Sequence, residues 1–283
     1  MTLIERIRHC AQPYEAPDKK VLSTISLKDR DSIAAAWGLS KKEVEIAALE
    51  ANVIPRRYLR NIGSLECRGQ IKLLKARALL VGAGGLGGTV AQLLARIGLG
   101  SLRIGDGDSF SEDNLNRQAF ALETNTGVSK VQIARATLAQ INASTEVEIY
   151  GGYLTEKELT PLIQGVDVAI DALDNMPSRF ALEKVCKKAA IPLVHGAVAG
   201  FSGQIMVIYP EDSGLQAIYG DGQSTPKKGI ETELGNLAGI VSTVASLQVQ
   251  EAIKIITGLG QPLRNRLLFL DSLNGVVEII ALR

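Results

Sequence analysis

The feature that most constrains this chain is a glycine loop between two apolar segments of different period. Ala78-Leu79-Leu80-Val81 is a short apolar run, and Gly82-Ala83-Gly84-Gly85-Leu86-Gly87-Gly88 follows at once. Apolar residues then recur at helical spacing from Leu86 to Ile97. Short run, glycine cluster and 3.6-residue period read as strand, tight turn and helix. Gly82, Gly84, Gly85 and Gly87 let backbone approach a phosphate chain, and the helix start offers N–H groups and a positive dipole end to negative charge. The next strand candidate, Leu102 to Asp106, ends in an acid placed to accept hydrogen bonds from ribose hydroxyls. The loop does not choose the nucleotide. Taken alone it favours NAD.

The rest of the chain extends this pattern. Further strands are predicted at Glu146–Tyr150, Val166–Asp171, Pro192–His195 and Ile205–Tyr209, with helices at Val131–Ile141, Glu156–Ile163 and Ser178–Ala189 between them. Such alternation predicts a Rossmann-like α/β fold, a mostly parallel sheet with helices on both faces. A long apolar helix, about Leu237 to Ile256, and a hairpin around Asn274-Gly275 add C-terminal antiparallel strands, 266–270 and 276–281. The polar, glycine-rich stretch from Asp212 to Gly229 predicts a mobile surface loop. Residues 1–55 read differently. Ser40-Lys41-Lys42-Glu43 fits a capping box ahead of Val44, Ala47, Ala48 and Ala51, and a second helix covers Leu27 to Trp37. The predicted organisation is a helical N-terminal extension, 1–55, leading into a nucleotide-binding domain, 56–283.

The charges after Asp106 do not suit hydride transfer. Asp106-Gly107-Asp108 runs into Asp113-Asn114-Leu115-Asn116-Arg117-Gln118, and Lys130 opens the next helix. An Arg and a Lys near the phosphate loop match a triphosphate better than a dinucleotide's diphosphate, and they can stabilise a leaving pyrophosphate. Asp171-Ala172-Leu173-Asp174-Asn175 ends a strand at the carboxyl edge, where ligands bind in such sheets. A carboxylate there can hold Mg²⁺ on phosphate oxygens. It can equally cap the helix that begins near Pro177-Ser178.

In order, Arg57-Tyr58-Leu59-Arg60-Asn61, Gly69-Gln70, Gly82–Gly88, Asp106-Gly107-Asp108, Asn114-Leu115-Asn116-Arg117-Gln118, Gly127, Lys130, Asp174-Asn175, Ser246-Leu247-Gln248 and Glu251-Ala252 resemble the MoeB/ThiF/HesA family over residues 56–283. These are bacterial relatives of ubiquitin-activating enzymes. The resemblance implies ATP-dependent adenylation of the C-terminal glycine of a small ubiquitin-like sulfur carrier ending in Gly-Gly. It implies that Gly85 lies in the phosphate loop and Asp106 holds the ribose. Asn114 and Arg117 would contact phosphates, Lys130 would sit near the α-phosphate, and Asp174 would organise Mg²⁺ beside Asn175. Gln118 falls within the same motif and joins the nucleotide-binding set. Arg60 would reach the neighbouring subunit's phosphates, so a homodimer would complete the site.

The chain departs from the family at its cysteines. Many relatives carry two C-x-x-C pairs for zinc and a cysteine before the last long helix; neither feature is found here. Cys10, Cys67 and Cys186 are scattered, which suits a reducing cytoplasm. Cys186 falls in a helical core pattern, and His195, before Gly196, reads as a satisfied structural histidine. No zinc and no enzyme thioester are therefore expected. With 31 Lys+Arg against 30 Asp+Glu, nothing points to nucleic acid, and no apolar run is long enough for a membrane span. Three alternatives stay open: an NAD-dependent oxidoreductase, a non-catalytic nucleotide-binding partner protein, and adenylation of a peptide C-terminus or small molecule in place of the carrier.

Overall fold

A computed structural model describes residues 1–220 and 231–282. In chain order it contains α1 (Leu3–Cys10), β1 (Gln12–Glu15), β2 (Val21–Ile25), α2 (Leu27–Trp37), α3 (Lys41–Glu50), β3 (Ile54–Pro55), α4 (Ile62–Lys75), β4 (Arg77–Val81), α5 (Gly85–Ile97) and β5 (Ser101–Asp106). There follow α6 (Lys130–Ile141), β6 (Glu146–Gly151), α7 (Glu156–Leu162), β7 (Val168–Asp171), α8 (Met176–Ala189), β8 (Leu193–Ala199) and β9 (Ser202–Ile208). The remainder is α9 (Gln216–Tyr219), α10 (Glu231–Leu234), α11 (Ala238–Thr257), β10 (Arg266–Asp271) and β11 (Val276–Ala281).

Eight strands form one sheet in the order β11-β10-β9-β8-β7-β4-β5-β6. From β6 to β8 all neighbours are parallel; β8 to β11 are joined antiparallel. Pleating divides β4 between two cores. Ala78 and Leu80 pack with α5, α6 and α11, while Leu79 and Val81 pack with α7 and α8. That alternation requires apolar residues on both faces, which is why Ala78–Val81 reads as an unbroken apolar run. The chain leaves β4 toward β5 and β6, then returns to place β7 on the other side. A reversal of this kind opens a crevice at the carboxyl ends of β4 and β7.

The extension is more mixed than its helical pattern predicts. Besides three helices it holds a small sheet, β1-β2-β3, with β1 and β2 antiparallel. Its strands are short, β1 is largely exposed, and burial in β2 is confined to its last two residues, so they leave no period-2 signal. Ile7, Ile25, Ile33, Val44 and Ala48 form a separate small core. The predicted Ser40–Glu43 capping box is present on α3, and Ser26 caps α2.

The extension docks on the amino ends of the strands. Lys42 Nζ lies 2.8 Å from Glu146 and donates to the Gly100 carbonyl at 3.4 Å. Arg30 Nη1 donates to Glu45 at 2.7 Å and to Ser144 at 3.1 Å, while Tyr58 donates to Glu45 at 3.0 Å. Residues 100, 144 and 146 all sit at or before strand starts. The extension and the crevice are therefore at opposite ends of the sheet.

Within the stretch 212–229, the structure differs from the predicted loop by forming α9. Leu215 is fully buried beside it, and its N–H is held by Glu183 at 3.2 Å. Residues 221–229 lie outside the described residues. Among the described residues no helix is long and apolar enough to cross a membrane.

Candidate active site

The crevice is a cleft of about 720 Å³ lined by the carboxyl ends of β4, β5, β6 and β7. Its floor is the glycine loop. Gly82 has φ +99°, and a Cβ there would stand 2.4 Å from the Ala172 carbonyl oxygen. A Cβ on Gly87 would stand 1.9 Å from the Gly82 carbonyl oxygen. Gly82 and Gly87 thus let the β4–α5 turn close against itself and against the loop after β7. Gly82, Gly84 and Gly85 line the cleft. No side chain caps α5, so its first N–H groups are available to a ligand. Gly82→Ala is expected to weaken ATP binding by at least about tenfold and to lower the Tm, because strain and clash fall on backbone. Isothermal calorimetry and thermal melts check both.

Asp106 ends β5 against this loop. Its Oδ2 accepts from Ala83 N–H at 2.6 Å, and its Oδ1 accepts from Asp108 N–H at 2.7 Å. Burial pushes the carboxyl up from its ordinary value, while the two N–H donors and Lys130 pull it down. Lys130, the first residue of α6, is 6% exposed. Its Nζ lies 3.0 Å from Asp108 Oδ2, and Tyr153 reaches the other oxygen at 3.4 Å. Asp108 therefore aims the ammonium along the cleft wall.

Arg117 lines the same cleft and donates to the Asp113 carbonyl at 2.8 Å and to Asn116 Oδ1 at 2.7 Å. Gln118 is buried, with its amide close to Gly84, and its Oε1 has no partner. An orphaned buried acceptor beside a glycine loop marks a place built for a polar ligand. After β7 stand Asp174, exposed, and Asn175, whose Oδ1 caps α8 through Ser178 N–H at 3.0 Å. Asn175 Nδ2 donates to Asp174 at 3.2 Å.

Gly82, Gly84, Gly85, Asp106, Arg117, Gln118, Lys130, Asp174 and Asn175 are thus brought together. Three expected residues are not on the lining. Gly87 packs beneath the loop. Asn114 is buried in its own turn, accepting from Ser111 N–H at 3.3 Å and donating to Asp113 at 3.2 Å. Arg60 is exposed and away from this cleft. Sequence reasoning passed over Tyr153, Lys157 and Arg179, which also line it. Tyr153 follows β6 in a loop with no periodic signal; Lys157 lies in the first turn of α7, where a charged residue reads as solvated surface, and Arg179 sits four residues beyond Asn175, one helical turn on. None of the three thiols reaches the cleft. Cys186 is 1% exposed, and burial raises its pKa.

A family model for ThiF matches residues 58–283. The chain belongs to the ThiF family. It is 34% identical over 232 residues to the SAMP-activating enzyme E1 of Haloferax volcanii, covering 80% of this chain and 85% of the relative. It is 34% identical over 224 residues to the molybdopterin-synthase adenylyltransferase of Escherichia coli, covering 77% and 88%. With these relatives it is an adenylyltransferase, and the oxidoreductase alternative falls. Among solved structures, Escherichia coli MccB with MccA-N7isoASN is similar at TM-score 0.69 and 19% identity, covering 92% of this chain and 80% of that one. MccB in complex with N-formylated MccA matches 99% of this chain and 87% of that one, at TM-score 0.69 and 18% identity. At such identities the likeness concerns the fold, and it reaches into the extension.

Proposed function

We propose that this ThiF-family chain adenylates the C-terminal glycine carboxylate of a small ubiquitin-like sulfur carrier and releases pyrophosphate. One observation carries the reading: Arg117, Lys130 and Asp174 all line the glycine-loop cleft. Two cations flank the place where a triphosphate lies when Asp106 takes the ribose. A carboxylate oxygen attacks the α-phosphorus, and the bond from that phosphorus to the bridging oxygen of pyrophosphate breaks. The electron pair leaves with pyrophosphate, and the carrier's carboxylate becomes a mixed anhydride with AMP. Lys130 and Arg117 stabilise the charge that builds up on the phosphate oxygens. The glycine loop and Asp106 fix the nucleotide, so positioning supplies much of the rate.

Mg²⁺ fits this cleft. It is ordinarily held by one or two carboxylates together with substrate phosphates, and Asp174 offers one exposed carboxylate across from the phosphate loop. Among the described residues no group of three His, Cys, Asp or Glu is placed to hold a metal by itself. When bound, the ion would add positive charge near the phosphates. Asp174 would hold it, and Asn175, donating at 3.2 Å, would steady the carboxylate.

The test is ATP–pyrophosphate exchange that depends on a carrier ending in Gly-Gly. Removing that carrier's last glycine should abolish exchange; exchange independent of any acceptor would count against the reading. No carrier adduct sensitive to thiol reductants is expected on non-reducing gels, because no thiol reaches the cleft. A second reading keeps adenylation and replaces the carrier by a peptide or small-molecule carboxylate. The likeness to MccB, solved with MccA and extending over residues 1–55, favours keeping it. Exchange driven by a short peptide and not by a folded carrier would select it. We place Arg60 in the neighbouring subunit's site. The expected assembly is a homodimer in the cytoplasm, and mixed dimers of Arg60→Ala with Lys130→Ala test the sharing of sites.

A further inference from the structure

One buried titratable group takes no part in the chemistry above. His195 in β8 is 0% exposed. Its Nδ1 lies 2.7 Å from Asp171 Oδ2, and its Nε2 lies 3.3 Å from the Tyr219 hydroxyl. Gln204 donates to that hydroxyl in turn. Asp171 is equally buried, at 0%. Its Oδ1 accepts from Leu173 N–H at 2.9 Å, and its Oδ2 is 3.7 Å from Arg179 Nε. Arg179 donates through Nε and Nη2 to the Leu173 carbonyl, at 3.2 and 2.7 Å. Gln248 holds the Asp171 carbonyl at 2.8 Å.

The donors fix a direction along this chain. Asp171 accepts, so His195 carries its proton on Nδ1 and offers the Nε2 lone pair to the Tyr219 O–H. Burial lowers the imidazole pKa against the pull of Asp171 and favours the neutral ring that this pattern needs. The line runs from α9, across the sheet's carboxyl edge, to Leu173. Leu173 is held through both its N–H and its carbonyl, and Asp174 is the next residue.

We propose that His195, held between Tyr219 and Asp171, is a positioning residue that fixes loop 171–175 and so sets Asp174 and Asn175 in the nucleotide cleft. This rests on the reading that Asp174 serves the MgATP site. A histidine that merely fills space would need no donor toward Asp171. A positioning histidine does, because Asp171 transmits its orientation to the backbone of Leu173. Buried partners of this kind commonly govern metal affinity from outside the ligand set.

Two amide substitutions separate the two ends of the ring. His195→Asn keeps a donor near the Nδ1 position, toward Asp171. His195→Gln reaches toward Tyr219 and loses that donor. Two measurements are made on the full chain: hydrogen exchange of the amides of 172–175, and calorimetric ATP affinity with Mg²⁺ and with EDTA. In His195→Gln, exchange at 172–175 should rise about tenfold, and the Mg²⁺-dependent gain in ATP affinity should shrink about tenfold. ATP affinity in EDTA should change by less than about twofold, and His195→Asn should stay within about threefold of wild type in both measurements.

Equal losses in the two variants would overturn the proposal, since packing alone would explain them. So would unchanged loop exchange in His195→Gln. Should that variant not fold, Tyr219→Phe decides: exchange at 172–175 rising about threefold upholds the proposal, and no rise overturns it. If wild type shows no Mg²⁺-dependent gain at all, it is the metal role of Asp174 that fails. Hydrogen exchange still decides the role of His195.

Discussion

Lys130→Ala is expected to lower carrier-dependent ATP–pyrophosphate exchange by about 10²–10³-fold, the effect of removing one preorganised donor from a developing oxyanion. The size follows from where the ammonium sits. Lys130 is 6% exposed and already held by Asp108 at 3.0 Å, so in the proposed reaction its charge would act without reorganisation and with little water around it. The fold should survive. Position 130 is the first residue of α6, where alanine is well tolerated, and the Asp108 carboxylate left behind is about half exposed. ATP binding should weaken far less than turnover, because the glycine loop and Asp106 still hold the nucleotide. Arg117→Ala makes a useful contrast. Its guanidinium rests on Asp113 and Asn116 and must swing to a phosphate, so its loss should raise KM for ATP as well as lower kcat. Steady-state exchange kinetics over an ATP range separate the two patterns. A Lys130→Ala enzyme that keeps more than a third of wild-type exchange at saturating ATP would remove Lys130 from the chemistry.

The contrast between Lys130 and Asn114 shows how much of the site was legible. Both belong to ordered motifs, and both are buried. Lys130 opens a helix that points into the crevice, so a helix-start signal was enough to place it. Asn114 sits in a 3₁₀ turn, where its side chain satisfies its own backbone. Nothing in the order of residues distinguishes a loop asparagine that holds a ligand from one that holds the loop. The parallel core was legible for a simple reason: β4 and β7 are apolar on both faces, and the helices between strands keep a clean period. The extension's hairpin was not, because its two short strands carry no alternating burial pattern. Long-range polar links were invisible for another reason. His195 and Asp171 are 24 residues apart, and only the parallel pairing of β7 with β8 sets them side by side. Reading His195 as a satisfied structural histidine was sound in kind. What it lacked was the partner that ties it to Asp174.

The same limit applies to the join between extension and domain, where the second large effect is expected. Glu45→Ala should destabilise the protein by about 3 kcal/mol, or roughly 5 °C in Tm. Glu45 is 0% exposed and accepts from both Arg30 at 2.7 Å and Tyr58 at 3.0 Å. Removing its carboxylate leaves a guanidinium that is 4% exposed with Asp31 as its remaining carboxylate. That surviving partner keeps the cost at the lower end of what a broken buried pair exacts. It also strands the Tyr58 hydroxyl, whose remaining contact is Asn142 Nδ2 at 3.2 Å. The double variant Arg30→Met, Glu45→Leu should recover most of the loss, because apolar groups of similar volume need no partners. The position of this network gives the result a functional edge. It lies at the amino ends of the strands, and the cleft lies at their carboxyl ends. Glu45→Ala should therefore leave MgATP affinity within about twofold of wild type below the melting transition, the independence expected of distant sites. Denaturant titration and calorimetry on one preparation test both halves. Loss of ATP binding in step with loss of stability would mean that the extension and the nucleotide site are one cooperative unit across the sheet.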